Sequence, residues 1–140
     1  GRYDWLELLM SHRLQPGFAP DRLLFVYDYP ATQCALARLR GSGSDQVAER
    51  FEAYLGPQEL ANGYHELTVA AEQRQRFERD LQRRRQRGLV EPPLDAALLQ
   101  ALAHGLPDCA GVALGVERLL LALSGQSDLA GVLAFPFARA

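Results

Sequence analysis

The chain contains no lysine: all 15 basic residues among its 140 are arginines. A phosphate-binding loop of the Gly-Lys-Ser/Thr type and a Schiff-base lysine are therefore excluded within this stretch, and arginine must meet any anion that binds. Cysteine is nearly as scarce. Cys34 and Cys109 lie far apart and form no Cys-x-x-Cys pair. Two such thiols make no disulfide framework, so a reducing cytosol is the expected compartment. No apolar run approaches the roughly 20 residues of a membrane span. No basic-then-apolar leader opens the chain either, so neither membrane insertion nor export is expected. Strong charge of one sign is also missing, and a net charge of -2 gives no general attraction to nucleic acid or membrane.

What is present is a soluble globular composition, 48% hydrophobic and 23% charged, sufficient for one domain with a core or for one piece of a larger domain. Apolar residues at 5, 6, 8, 9 and 10 predict a short helix over 3–11 buried on one side. Leu23 to Tyr29 is a mostly apolar strand closed by Pro30, the pattern of a central strand. Gly41-Ser42-Gly43-Ser44 is a flexible turn. Two strands follow, about 46–55 and 58–64, around Gly56-Pro57. Residues 69–87 lack Gly and Pro and predict a helix capped by Thr68 and stopped by Gly88. Asp95 caps a second helix that runs to His104. A small-residue strand over 110–116 leads into a leucine-rich helix over 117–124, stopped by Gly125. A short helix (127–131) and a strand (132–137) finish the chain. Without regular βαβ alternation, the expected fold class is α+β, an antiparallel sheet backed by helices.

The segment with most chemistry is the hairpin, where Glu52, Glu59 and Glu66 recur at seven-residue intervals with Asn62 between the last two. Carboxylates gathered on a hairpin repel one another unless something positive sits among them. If Gly56-Pro57 is a two-residue connection, Tyr54 faces Glu59 and Glu52 lies diagonally on the same face. Diagonal neighbours are roughly 7–8 Å apart, a separation suited to two carboxylates sharing Mg²⁺ directly or through its waters. A three-residue loop would place the two acids on opposite faces. Strict alternation puts Asn62 and Glu66 opposite Glu59, with Gly63 a candidate bulge that re-aims them. The alternative is a solvent-facing hairpin bearing three unrelated glutamates.

The second constellation is Gly111-Val-Ala-Leu-Gly115-Val-Glu-Arg118-Leu. Alternating small residues leave one strand face nearly bare, so that a flat group can lie on the backbone. Arg118 falls in the first turn of the next helix, where the helix dipole disfavours a cation unless an anion shares the place. A phosphate would remove that conflict, and so would a carboxylate from elsewhere in the fold. Gly-x-Gly-x-x-Gly spacing is missing, so this is no dinucleotide fingerprint. His65-Glu66 is not the His-Glu-x-x-His zinc pattern, since position 69 is Val, and His12, His65 and His104 read as incidental. The seven arginines between Arg74 and Arg87 read as a solvated face, with docking of an acidic partner or RNA as the sharper alternative.

The Gly111–Leu119 run resembles motif 3 of class II aminoacyl-tRNA synthetases. Arg50-Phe-Glu52, followed by Glu59-Leu-Ala-Asn-Gly-Tyr-His-Glu66-Leu-Thr, is similar to the lysyl-tRNA synthetase core. The likeness extends over residues 22–140. It is strongest to the truncated paralogous family that ligates (R)-β-lysine to elongation factor P, through the Glu59–Thr68 run, Phe77-Glu78, Gly105-Leu-Pro-Asp-Cys-Ala-Gly111 and Ala113. The resemblance implies ATP and Mg²⁺ as cofactors. It also implies Glu52 and Glu59 on metal and nucleotide, Asn62 at the amino-acid substrate, and Glu66 receiving the substrate's side-chain ammonium. Arg118 would lie on the ATP phosphates and Gly115 beneath the adenine, with Arg118 and Glu59 as catalytic groups. Ala113, where synthetases usually have Gly, would narrow the pocket and help select β-lysine over α-lysine.

The implied reaction activates the amino acid as an adenylate and transfers it to a lysine of elongation factor P, with a homodimer as the working unit. Motifs 1 and 2 are absent, so residues 1–140 match the C-terminal portion of one catalytic domain. Val69 departs from the paralog, which has Asp there, and this puts a contact beside the substrate acid in doubt. A true lysyl-tRNA synthetase fragment acting on tRNA and a non-catalytic synthetase-like binding module are the competing expectations.

Overall fold

Apolar and aromatic strand formers dominate Leu23–Tyr29 and recur through Val47–Leu55, and these residues form the first strands of a sheet. The computed structural model describes residues 2–137, with side chains from Trp5 onward. Strands β1 (Leu23–Pro30), β2 (Leu39–Arg40), β3 (Val47–Leu55), β4 (Gln58–His65) and β5 (Ala110–Leu114) make one sheet in the order β1-β3-β4-β5, with β2 paired to the start of β3. Every pairing is antiparallel. The helices are α1 (Arg2–Leu9), α2 (Ala70–Gln86), α3 (Ala96–His104) and α4 (Val116–Ser124). The α+β expectation therefore holds. No described helix is long and apolar enough to cross a membrane.

Gly56-Pro57 is a two-residue turn, because Leu55 pairs with Gln58 and Tyr54 with Glu59. The register then slips: Ala53 pairs with Ala61, leaving Leu60 as an extra, buried residue. The bulge thus falls at Leu60 and not at Gly63. Gly63 sits in register opposite Phe51, and any side chain there would drive into the Phe51 ring. The slip has one consequence for chemistry. It puts Glu52, Glu59, Asn62 and Tyr64 on a single face, which unbroken alternation would not do.

The segment after β1 closes the space beside β3. Glu49 N donates to Arg38 O (2.9 Å), Arg38 N to His65 O (2.8 Å) and Leu67 N to Leu36 O (2.9 Å). Ala37 and Ala48 are fully buried there, and Leu60, Leu67, Leu99, Leu102 and Leu121 complete the core. Helix α2 is fastened to this segment by Arg76. Its guanidinium donates to Ala37 O (2.7 Å) and Ala35 O (3.2 Å), and also to Glu72 one turn earlier (2.6 Å). Arg76 is buried, so it is separate from the six exposed arginines between Arg74 and Arg87 that form the solvated face.

Five local expectations change. The Leu23–Pro30 strand lies at the edge of the described sheet and not in its centre, pairing with β3 alone. Thr68 does not cap α2: the chain stays extended through Val69, which occupies the N-cap without a side-chain acceptor. The strand expected over 132–137 does not form, and Phe135 and Phe137 stand exposed with no ladder partner among the described residues. The helix expected over 127–131 is only a 3₁₀ turn, Leu129–Gly131, whose Ala130 N donates to Asp128. Helix α1 forms and continues as a π-helical stretch, Met10–Leu14, but Trp5, Leu8 and Leu9 are exposed instead of buried. Asp95 caps α3 as expected, accepting from Leu98 N at 2.9 Å.

Candidate active site

The common face of β3, β4 and β5 carries the acids, and each meets a different environment. Glu52 is the most enclosed. Its Oε1 accepts from Arg50 Nη2, and its Oε2 accepts from the Tyr29 hydroxyl (2.6 Å) and the Tyr54 hydroxyl. Arg50 is itself held by three further contacts. It donates to Gln33 O (3.1 Å) and Asn62 Oδ1 (3.2 Å), and its guanidinium lies 4.5 Å from the centre of the Tyr29 ring. A guanidinium stacked on an aromatic face keeps its fork orientation at little further entropic cost. Burial, and then the hydrogen bond and charge of Glu52, push both the Tyr29 and Tyr54 hydroxyls far above their ordinary value of 10, so both stay protonated donors.

Glu59 lies diagonal to Glu52 across Tyr54 and is half-buried. Arg118, in the first turn of α4, donates to Glu59 O at 2.8 Å and stands 3.7 Å from its carboxylate. The arginine side chain is 50% exposed, so most of its guanidinium remains open to an incoming anion. Both of the partners foreseen for Arg118 are thus compatible with its position: it rests on the hairpin while facing outward. Gly115, the N-cap of α4, leaves the gap through which the Arg118 stem passes; an added methyl would come to 3.3 Å from Arg118 Cδ.

Asn62 pairs with Ala113 and Tyr64 with Gly111, which brings the small face of β5 against the hairpin acids. Asn62 is held at both ends of its amide, accepting from Arg50 and donating to the Tyr64 hydroxyl at 3.0 Å. Glu66 follows on the same face. Its main chain bridges to Ala37 and donates to Cys109 O (3.0 Å), and its carboxylate lies directly over Gly111, where any side chain would collide with Oε1. The half-buried Glu66 carboxylate accepts no hydrogen bond from a described residue. The hairpin acids therefore divide by partner: Arg50 and two tyrosines face Glu52, Arg118 faces Glu59, and Glu66 has no cationic partner among the described residues.

Among the described residues no three His, Cys, Asp or Glu side chains form a group that could hold a metal ion. Magnesium in nucleotide sites is commonly held by one or two carboxylates plus phosphate oxygens and water. Glu59 fits that role, being half-buried and only loosely paired. Glu52 fits it in part, since three donors leave one lone-pair direction on Oε1. Sequence reasoning missed Arg50, Tyr29 and Gln33. Arg50-x-Glu52-x-Tyr54 was readable as one strand face, but Tyr29 and Gln33 arrive from segments that no spacing links to the hairpin.

The model for class II tRNA synthetases (D, K and N) matches residues 13–139. Among curated proteins, the elongation factor P–(R)-β-lysine ligases of Salmonella gallinarum, Salmonella paratyphi B and Salmonella heidelberg are each 50% identical over 135 residues, 96% of this chain. The matched region is 41% of each of those proteins, so the chain spans well under half their length.

Proposed function

The chain belongs to the class II tRNA synthetases of the D, K and N type, and from that premise we propose that it is the C-terminal portion of the catalytic domain of an ATP-dependent ligase. The ligase activates (R)-β-lysine as an adenylate and transfers it to a lysine of elongation factor P. The observation that carries this reading is Glu66: a half-buried carboxylate that accepts no hydrogen bond from a described residue and lies over Gly111, on the sheet face that also carries Asn62 and Ala113. An amino acid with a side-chain ammonium supplies the missing cation. The names of the similar ligases favour the β-amino acid and the protein acceptor.

In the first half-reaction a substrate carboxylate oxygen attacks the α-phosphorus of ATP and pyrophosphate leaves. In the second, an acceptor amine attacks the activated carbonyl and AMP leaves. Neither step needs a nucleophile from the protein, so the chain's contribution is alignment and charge neutralisation. Glu66 anchors the ammonium. Ala113 limits the room beside it, and Asn62, itself locked by Arg50 and Tyr64, shapes the wall. Arg118 meets phosphate charge, with Gly115 leaving room for its stem and Gly111 leaving room for the Glu66 carboxylate to lie close to the backbone. Glu59, with Glu52 behind it, would hold Mg²⁺, which supplies neutralisation of phosphate charge when bound. The Glu52–Arg50–Tyr29–Tyr54 network keeps that wall rigid in the absence of ligand.

The test is pyrophosphate exchange by the protein that carries this chain, with (R)-β-lysine and α-lysine compared. Exchange favouring (R)-β-lysine, followed by labelling of elongation factor P, is expected. Preference for α-lysine with charging of tRNA would move the assignment to a lysyl-tRNA synthetase, and failure to bind ATP-Mg²⁺ would move it to a binding module.

A further inference from the structure

Behind Glu66, on the reverse face of the sheet, lies a second set of charges that the ligase reading does not use. His65 precedes Glu66, and alternation turns its ring away from the site. Nδ1 stands 2.7 Å from Glu49 Oε2 on β3, and Nε2 stands 2.7 Å from Asp108 Oδ1 in the loop between α3 and β5. A neutral imidazole has one N–H and can donate to only one carboxylate; only the imidazolium can donate to both. The surrounding charges agree. Arg38 Nη1 lies 2.6 Å from the same Asp108 oxygen and 3.2 Å from His65 Nε2. Arg40 joins Glu49 (3.4 Å) to Asp28 (2.8 Å). Glu72, which borders the same recess as Asp108, is already taken by Arg76. With the ring protonated, three acids (Asp28, Glu49, Asp108) face three cations (Arg38, Arg40, His65). The hydrogen bond to Asp108, reinforced by Glu49, raises the ring above its ordinary value of 6.5, against desolvation and Arg38.

The loop that Asp108 pins has little else to hold it. Gly105 lies at φ +110 and Pro107 has no N–H to donate. This loop feeds straight into the site, since Cys109 O accepts from Glu66 N and Gly111 lies beneath the Glu66 carboxylate. We propose that His65 is a positioning residue: as the imidazolium it ties Asp108 to Glu49 from behind the sheet, and so fixes Glu66 over Gly111 for the ammonium of the amino acid. Loss of the ring proton loosens the loop and lowers affinity for the amino acid, while ATP binding on the Glu59–Arg118 side is untouched. The inference rests on the reading of Glu66 as the ammonium acceptor.

The experiment measures KM for (R)-β-lysine and for ATP separately in pyrophosphate exchange, between about pH 6 and 9, in the protein that carries this chain. Wild type, His65→Asn and Asp108→Asn are compared, and NMR follows the His65 ring. In wild type the amino-acid KM rises roughly tenfold at the ring's own pKa, with KM for ATP nearly constant. His65→Asn starts at the high value and loses the step, while retaining the substrate's own titration as a baseline. Asp108→Asn moves the step to lower pH, because it removes the main support of the ring's charge. A wild-type amino-acid KM parallel to that of His65→Asn at every pH overturns the inference and leaves the Glu66 reading standing. So does a step that stays put in Asp108→Asn. Absence of exchange in wild type overturns both. If His65→Asn fails to fold, the wild-type profile and the Asp108→Asn shift decide between the same outcomes.

Discussion

Glu66 differs from its two companions in what it lacks. Glu52 is matched by Arg50, Tyr29 and Tyr54, and Glu59 by Arg118. A charged hydrogen bond to a half-buried carboxylate contributes more than a neutral one, so Glu66→Gln is expected to raise the amino-acid KM by roughly 10- to 100-fold. ATP affinity, measured by equilibrium binding, should be unchanged. His65 and Asp108 make a second residue-scale prediction. The ring's pKa is raised from 6.5, so its contribution to stability is fully present below 6.5 and lost as pH rises through the raised value. Asp108 is lowered from 3.8, chiefly by its hydrogen bond to His65, so its contribution is present above 3.8 and lost as pH falls through the lowered value. Urea midpoints of wild type and His65→Asn should therefore differ most between those two limits and converge above the ring's folded-state pKa. Of this site, the three glutamates and Arg118 could be read from spacing and motif. Of the partners of Glu52, Arg50 and Tyr54 share its strand face, but Tyr29 could not be read, because it lies on β1 and reaches Glu52 only through strand pairing.

At the scale of the element, the caps and bulges matter most. Val69 occupies the N-cap of α2 with no side-chain acceptor, so the residue at this position bears on the start of the helix. Val69→Asp is expected to stabilise the protein by about 1 kcal/mol, by accepting from a free N–H of the first turn and favouring the helix dipole. Thermal or urea denaturation would register it. The opposite change is Arg76→Met. It leaves Ala35 O and Ala37 O without their donor and Glu72 without its partner, and a loss of about 2–3 kcal/mol is expected by the same measurement. The bounds of β1, β3 and β4, the Asp95 cap and the Gly56-Pro57 turn were legible because each rests on residues adjacent in sequence. The Leu60 bulge was not, since nothing local distinguishes Leu60 from its neighbours; the register of β4 against β3 and β5 together selects it.

At the scale of the molecule, the sheet has two unequal faces. One presents the site. The other leaves Leu23, Phe25 and Tyr27 exposed on β1, and Val112 and Leu114 exposed on β5. Together with a match to 41% of the length of the similar ligases, this leads to the expectation that the 140-residue chain alone will bind a hydrophobic dye and will not form an adenylate. Pyrophosphate exchange by the purified chain would refute the second part.

Composition determined that arginine must serve every anion, and the order of the elements that the sheet is antiparallel. Glu52, Glu59, Glu66 and Arg118 were singled out by motif resemblance, since spacing alone also allowed a solvent-facing hairpin with unrelated glutamates. Which acid is already matched by a protein cation was decided only by the tertiary structure. The reason is electrostatic: a carboxylate's surroundings depend on the donors that face it, and Tyr29 of β1 reaches Glu52, and Arg118 of α4 reaches Glu59, from far away in sequence. His65 is the clearest case. Its two carboxylates lie 16 and 43 residues away, and the sheet brings them to opposite sides of one ring.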